Sequence, residues 1–526
     1  MDLGSKSRRR AATAIVLVCA THFAFALDWG IVGQRSVAPD EISPRRVAAA
    51  RQARFANGWH DYYPPLMFYA AAASQAASDA LPGASPAPAP TFRRHALATR
   101  TLSVAATVVT VLGLLALGRR IGLGWGTAVA ALLWAASPTV TYYAKTGNVE
   151  SLYLMWLVLA LALLARALDE GSAVALVGAG ALAALAAATK DQAAVYAVCA
   201  AGALLPLHEG LAGLQPARWT ALRELGGRGL LAAGASSLAV YLYVLNVPFN
   251  PEGVRGHFAA LREVARLAPE FEASVAGKLA QAWQAGVNLE FVLGLPAIGL
   301  ALWGLLAIAR DGERRRRHGF HLPAAIGYAL FMWLALPRAY DRFLLPIALS
   351  AVLLAGEGAD ELLARLRRRG WLVGAALVAI LVYSGTRAAE LDLRLRFDSR
   401  VTIREWIARD GGSAPTTWVL GKHDWAALAG RQVGLGEPPY FARELRRWAP
   451  RHLVAEAAWS RSLRWARVLR AAGYIEAHRD AGRIPARLSR HGRARTNLDK
   501  ISPELVVYRR ASPPAASGRG PAEGPR

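Results

Sequence analysis

The sequence predicts an all-α polytopic membrane domain with about eleven transmembrane helices, followed by a small extracytoplasmic α/β domain. Three observations lead there. Of 526 residues, 54% are hydrophobic and mean hydropathy is +0.24, which describes a multi-spanning membrane protein rather than a soluble one. Apolar segments of about 20 residues, the length that crosses a bilayer, recur along the chain. The connections between them alternate between arginine-rich and arginine-poor, and arginine-rich loops stay in the cytoplasm.

The apolar segments fall near 11–27, 96–117, 125–143, 150–166, 171–188, 192–207, 229–247, 289–309, 320–336, 343–357 and 371–386. The first comes after Lys6, Arg8, Arg9 and Arg10, so the N-terminus is expected inside. Inner loops then carry Arg119 and Arg120; Arg166; Arg218, Arg223 and Arg228; Arg310 and Arg314 to Arg317; and Arg365 with Arg367 to Arg369. A cleaved signal peptide is the alternative for the first segment, because Ala24-Phe25-Ala26 has the small-x-small pattern. In either case the loop beyond it, with Asp40, lies outside. Periplasmic reporter fusions at Gly58 and Gly412 are therefore expected to be active, and a cytoplasmic signal from either site would overturn the eleven-span reading.

The arginine-rich loops contribute to the net charge of +25, which gives no reason to invoke nucleic acid. Cys19 and Cys199 both lie inside apolar segments, which indicates neither a disulfide framework nor a paired metal site.

The outer face carries a long first loop (28–95), turns at Ser137–Val149, Thr189-Lys190-Asp191 and Pro337–Arg342, a loop at 248–288, and a tail from about 388. In the first loop Ser43-Pro44 supplies an N-cap and a first-turn proline. They open a helix through about Phe55 whose Arg45, Arg46, Arg51 and Arg54 suit lipid headgroups. Pro82–Pro90 reads as a spacer. The expected domains are a membrane domain over 1–387, a soluble α/β domain over 388–511 and a disordered Pro/Gly/Ala-rich end over 512–526. Within the soluble part, Asp398-Ser399 opens a helix through Trp406-Ile407, Thr417–Leu420 and Leu505–Tyr508 read as strands, and Arg461–Ala472 as a helix. Nothing in the tail has a catalytic pattern.

The residues with chemical potential gather on the outer face. Asp40-Glu41 stands beyond the first segment, just before a helix start. Lys190 and Arg342 stand at outer helix ends, and Arg338 and Asp341 flank Arg342 in its short turn. Snorkelling to headgroups is the ordinary fate of such cations. Glu150 begins the fourth segment beside Tyr142, Tyr143 and Asn148, where it either faces a polar ligand or stabilises its helix dipole. His257, His318 and His321 lack metal-ligand spacing, and Gly122-Leu123-Gly124 reads as a helix-linking turn.

Taken in order and sidedness, Ala38-Pro39-Asp40-Glu41, Tyr62-Tyr63-Pro64-Pro65-Leu66, Glu150, Thr189-Lys190 and Arg342-Phe343-Leu344-Leu345-Pro346 resemble motifs of the membrane glycosyltransferases of GT-C fold. Their closest likeness is to the protein O-mannosyltransferase and aminoarabinose transferase (ArnT-like) group. The resemblance spans about residues 1–386. The tail, with Ser-Pro-Glu-x-x-x-Tyr at Ser502–Tyr508, is similar to the outer domain of bacterial members. The resemblance implies a multi-pass protein of the bacterial inner or plasma membrane that takes sugar from a polyprenyl-phosphate donor on the extracytoplasmic side.

Such a transfer needs a base for the acceptor hydroxyl and cations for the departing phosphate. Asp40 is the expected base, and Glu41 either orients it or caps the next helix. Lys190 and Arg342, with Arg338, are the expected phosphate ligands; a point charge and a planar fork complement each other there. Glu150, Tyr62 and Tyr63 are expected to face sugar or acceptor. Asp61 stands near the place where aminoarabinose transferases carry an acidic residue, but out of register. The expected partners are the lipid-linked donor, membrane lipid and an extracytoplasmic lipid, glycan or protein acceptor. No cofactor is required, and the sequence leaves a divalent metal undecided. The alternatives are a transporter or flippase of an amphiphilic substrate, whose span centres would carry ionisable groups, and a non-catalytic subunit of the same fold.

Overall fold

A computed structural model describes residues 5–32, 34–52, 63–202, 217–266, 269–413, 416–420, 431–433, 438–457, 463–480 and 494–511. The chain forms two compact units that interleave along the sequence. One comprises Met1–Leu27, Asp40–Asp392 and Ala486–Leu498, and the other Asp28–Pro39, Leu393–Pro485 and Asp499–Arg526. A short piece of the sequence-distal tail thus belongs to the helical unit.

A helix occupies each of the eleven expected segments, but their lengths differ from expectation. Among the described residues, Pro88–Arg120, Val149–Glu170, Asp341–Arg365 and Arg367–Arg409 are long and apolar enough to cross a membrane. The bent pair Val275–Leu293 and Leu295–Arg310 would make a fifth. Gly126–Ala135, Ala173–Ala187, Gln192–Gly202 and His321–Ala335 are apolar but shorter. At 1.5 Å per residue, fifteen residues reach only about 22 Å of a roughly 30 Å hydrocarbon layer. The chain is an integral membrane protein.

Local chemistry explains the departures. The expected span at 125–143 is two helices, Gly126–Ala135 and Pro138–Ala144, because Ser137 caps the second by accepting from Val140 N and Pro138 starts it. The one expected at 289–309 breaks at Gly294, whose φ of 82° suits glycine, and the helices on either side turn by 103°. The expected loop at 248–288 contains Pro251–Arg266 and most of Val275–Leu293. The proline-rich spacer is shorter than expected, since a helix already begins at Pro88.

The basic helix of the first loop runs Pro44–Gln52. In this helix Pro44, Val47 and Ala50 are buried, Val47 and Ala50 in a protein core with Met67, Phe68, Ala71, Val149 and Leu152, while Arg45, Arg46 and Arg51 are exposed. Its apolar side therefore faces protein rather than headgroups. Tight helix packing centres on Leu345–Arg365: a Cβ on Gly356 would lie 2.5 Å from Gly126 O, and one on Gly358 2.2 Å from Leu300 O. Small residues there let the backbones touch.

The same helix carries carboxylates toward its C-terminal end. Glu357 and Glu361 pair with Arg314 at 3.2 and 2.5 Å, and His318 bridges Glu357 and His321 at 3.2 and 2.8 Å. Asp360 accepts from Gly124 N and Gly126 N at 2.6 and 2.8 Å. The glycine turn at 122–124 thus offers its amides to a carboxylate, and the acids anchor the arginine-rich loops.

The second unit holds a five-stranded sheet. Thr417–Leu420 lies parallel to both Arg431–Val433 and His452–Glu456, and Leu505–Arg510 runs antiparallel between His452–Glu456 and Tyr474–Asp480. Alternate residues bury on opposite faces. Trp418, Leu453, Val506 and Tyr508 meet Phe441, Leu445 and Leu469 on one side. Val419, Val454, Leu505 and Val507 meet Ile403 and Ile407 on the other. The helix Ser399–Arg409 starts on Asp398, which accepts from Arg400 N at 2.9 Å.

Candidate active site

Asp40 has a left-handed backbone, φ 62°, a conformation that aspartate tolerates better than most residues. Its carbonyl accepts from Asn148 Nδ2 at 3.1 Å, which ties it to the residue that caps Val149–Glu170. Its carboxylate oxygen Oδ2 accepts from Arg342 Nη1 and from Asn497 Nδ2, both at 2.5 Å. The Asp40 side chain is 36% exposed.

Glu41 is directed elsewhere. Its carboxylate, 3% exposed, takes a two-point contact from Arg100 at 2.6 and 3.1 Å and accepts from Gly147 N at 3.3 Å. Arg100 is fully buried and also donates to Leu27 O at 2.7 Å. Losing one member of such a pair leaves an uncompensated buried charge.

Glu150 is completely buried at the start of its helix. Its Oε1 accepts from Lys190 Nζ at 2.9 Å, and its Oε2 has no hydrogen-bond partner among the described residues. The Lys190 ammonium sits 5.0 Å from the Tyr153 ring centroid and 5.5 Å from that of Phe343. Burial pushes Lys190 below the usual lysine range and the Arg342 charge adds to this, while Glu150 opposes it. Burial also raises Tyr63, to about 12 against the pull of the Arg342 cation, and Tyr63 lies within electrostatic reach of Arg342, Glu150 and Asp40.

Arg342 sits on a short turn of 3₁₀ helix, Asp341–Leu344, with its guanidinium 5.4 Å from the Phe343 centroid. Its Nε is buried and has no hydrogen-bond partner among the described residues. Asp341 holds the turn by accepting from Arg342 N, Thr139 Oγ1 and Thr496 Oγ1, each at 2.8 Å. Arg338, half-buried in the preceding turn, is near enough for its charge to act on Tyr340.

The structure therefore brings Asp40, Arg342, Lys190, Glu150 and Tyr63 into one neighbourhood and turns Glu41 away from it. Asp61 and Tyr62 fall outside the described residues. Sequence reasoning missed Arg100, Thr139, Thr496 and Asn497. The tail residue Asn497 is the largest correction, because the tail had no catalytic pattern and yet supplies a side chain that touches Asp40. Among the described residues no cluster of three or more His, Cys, Asp or Glu is arranged to hold a metal ion.

Residues 91–215, which include Glu150 and Lys190, match the family described as dolichyl-phosphate-mannose-protein mannosyltransferase. Comparison with curated proteins by sequence gives no match. Among solved structures, the chain is similar to Cupriavidus metallidurans ArnT in its apo state, at 14% identity and a TM-score of 0.52 over 96% of this chain and 98% of that one. The same protein bound to undecaprenyl phosphate matches at 14% identity and a TM-score of 0.53, over 97% and 99%. An Archaeoglobus fulgidus oligosaccharyltransferase in complex with Zn and sulfate matches at 13% identity and a TM-score of 0.50, over 92% and 73%. These likenesses concern the fold, and the family match concerns residues 91–215 alone. The chain thus shares the fold of these membrane proteins, and its residues 91–215 are similar to part of that mannosyltransferase family.

Proposed function

We propose that the protein transfers a sugar from a polyprenyl-phosphate donor to the hydroxyl of an extracytoplasmic acceptor, with Asp40 as general base. The observation that carries this reading is a buried cluster with unused bonding capacity. Glu150 Oε2 and Arg342 Nε are sequestered without hydrogen-bond partners among the described residues, beside a partly exposed Asp40. Buried polar atoms are normally satisfied, so such atoms at one place point to a polar ligand. The undecaprenyl phosphate bound to the Cupriavidus ArnT supports a lipid phosphate as that ligand.

In the reaction, the acceptor oxygen attacks the anomeric carbon while the bond from that carbon to the phosphate oxygen breaks. Asp40 takes the hydroxyl proton, and the polyprenyl phosphate leaves with its oxyanion opposite Arg342 and Lys190. Glu150 holds Lys190 in place and turns its other oxygen toward sugar hydroxyls, with Tyr63 alongside. Glu41 and Arg100 hold the Asp40 loop and take no part in proton transfer. Arg338 lies at the edge of the phosphate site, and the acceptor is reached from the extracytoplasmic face.

Membranes containing the protein are expected to move radiolabel from polyprenyl-phosphate sugars into a product whose mass identifies sugar and acceptor. Absence of transfer from every polyprenyl-phosphate pentose, hexose and uronic acid, alongside uptake of the intact lipid across the bilayer, would instead favour a flippase.

A further inference from the structure

We propose that Asn497 is a positioning residue for the transfer, one that holds the Asp40 carboxylate in its working orientation; this rests on Asp40 being the base. Asn497 is 5% exposed. Its single amide nitrogen donates to Asp40 Oδ2 at 2.5 Å and to Tyr143 Oη at 3.3 Å, so both of its hydrogens are committed.

Asn497 opens a 3₁₀ turn, Asn497–Lys500, and the two residues before it are held as firmly as a secondary-structure element would hold them. Arg495 N donates to Asn288 Oδ1 at 2.9 Å, and Arg495 O accepts from Asp341 N at 3.1 Å. The Arg495 guanidinium pairs with Glu270 at 2.5 Å and lies 4.8 Å from the Phe271 ring centroid. Thr496 Oγ1 donates to Asp341 Oδ2 at 2.8 Å and accepts from Leu498 N at 3.1 Å. Ordering a loop costs about 1–2 kcal/mol per residue in backbone entropy. A segment with so many anchors offsets that cost and fixes whatever its side chains touch.

Asp40 needs such a restraint. Its left-handed backbone stands outside any helix or strand that would orient the side chain. Arg342, which also donates to its carboxylate, serves the departing phosphate in the proposed reaction. A cation shared between two anions cannot fix either alone. The Asn497 amide is neutral, competes weakly for phosphate, and stays with Asp40 as Arg342 changes partner.

Orientation and acidity should change together when this donor is lost. Hydrogen bonding to a carboxylate favours its ionised form, so losing the donor raises the Asp40 pKa. In N497A the acidic limb of the kcat/KM profile is expected to move up by about one pH unit and kcat to fall about tenfold through misorientation, with donor KM within about twofold. N497D keeps size and shape and sets a second carboxylate against Asp40, so its acidic limb should move further in the same direction. The neighbouring groups Arg342, Lys190, Glu150, Tyr63, Tyr143 and Asp341 are unchanged in both variants. A purely structural segment would lower protein yield or Tm without moving the acidic limb. That result, or wild-type profiles in both variants, overturns the proposal. D40N measured alongside separates the two ideas: an inactive D40N with unaffected Asn497 variants sinks the positioning role alone, and a fully active D40N sinks the base assignment beneath it.

Discussion

Asp40→Asn should lower turnover by about 10²–10⁴-fold, the usual worth of a general base, while donor binding and membrane insertion persist. Asparagine keeps the size of the side chain and can still accept from Arg342 and Asn497, so geometry survives and basicity does not. The comparison with Glu41→Gln is decisive because the two neighbours do opposite things. Glu41 is buried against Arg100, and neutralising it strands a buried guanidinium at a cost of about 3–5 kcal/mol. Glu41→Gln should therefore lower Tm and yield, with the surviving folded protein close to wild-type in turnover. Transfer of label from the polyprenyl-phosphate sugar, normalised to folded protein, measures both. Wild-type turnover in Asp40→Asn with an inactive Glu41→Gln would move the base to Glu41, and full activity in both would leave this loop structural.

Arg342→Ala should weaken binding of the donor by about 10–100-fold, corresponding to the roughly 1.5–3 kcal/mol of a hydrogen bond to a charged group. Arg342→Lys should recover only part of this, since the planar fork is lost. Lys190 requires a different design. Removing it alone leaves Glu150 charged and completely buried, which disturbs folding as well as binding. The double variant Lys190→Met with Glu150→Gln removes both charges at once and should fold while binding donor poorly. Wild-type donor affinity in Arg342→Ala and in the double variant would show that these cations anchor the helices and nothing more.

Much of the fold was legible in the sequence because it depends on local signals. Helix positions come from apolar runs and from helix-start signals such as Ser43-Pro44 and Asp398, and the strands Thr417–Leu420 and Leu505–Arg510 from β-branched and aromatic runs. The candidate residues Asp40, Lys190 and Arg342 were visible as charges placed beyond or at the ends of apolar segments. Helix length was less legible, because a hydropathy window does not feel a glycine at φ 82° or a proline at a helix start until the backbone has turned there.

Membrane character, the arginine bias of the loops and the candidate charges are therefore properties of the amino-acid string, readable without coordinates. The pairing of those charges belongs to the packed molecule. Asp40 and Arg342 lie 302 residues apart and Asp40 and Asn497 457 apart, and no local pattern sets which donor reaches which carboxylate. Packing alone closes Glu41 on Arg100 while its neighbour Asp40 turns to Arg342. The physical reason is that a buried charge must find a partner at close range, and which partners are close depends on how every helix in between has packed.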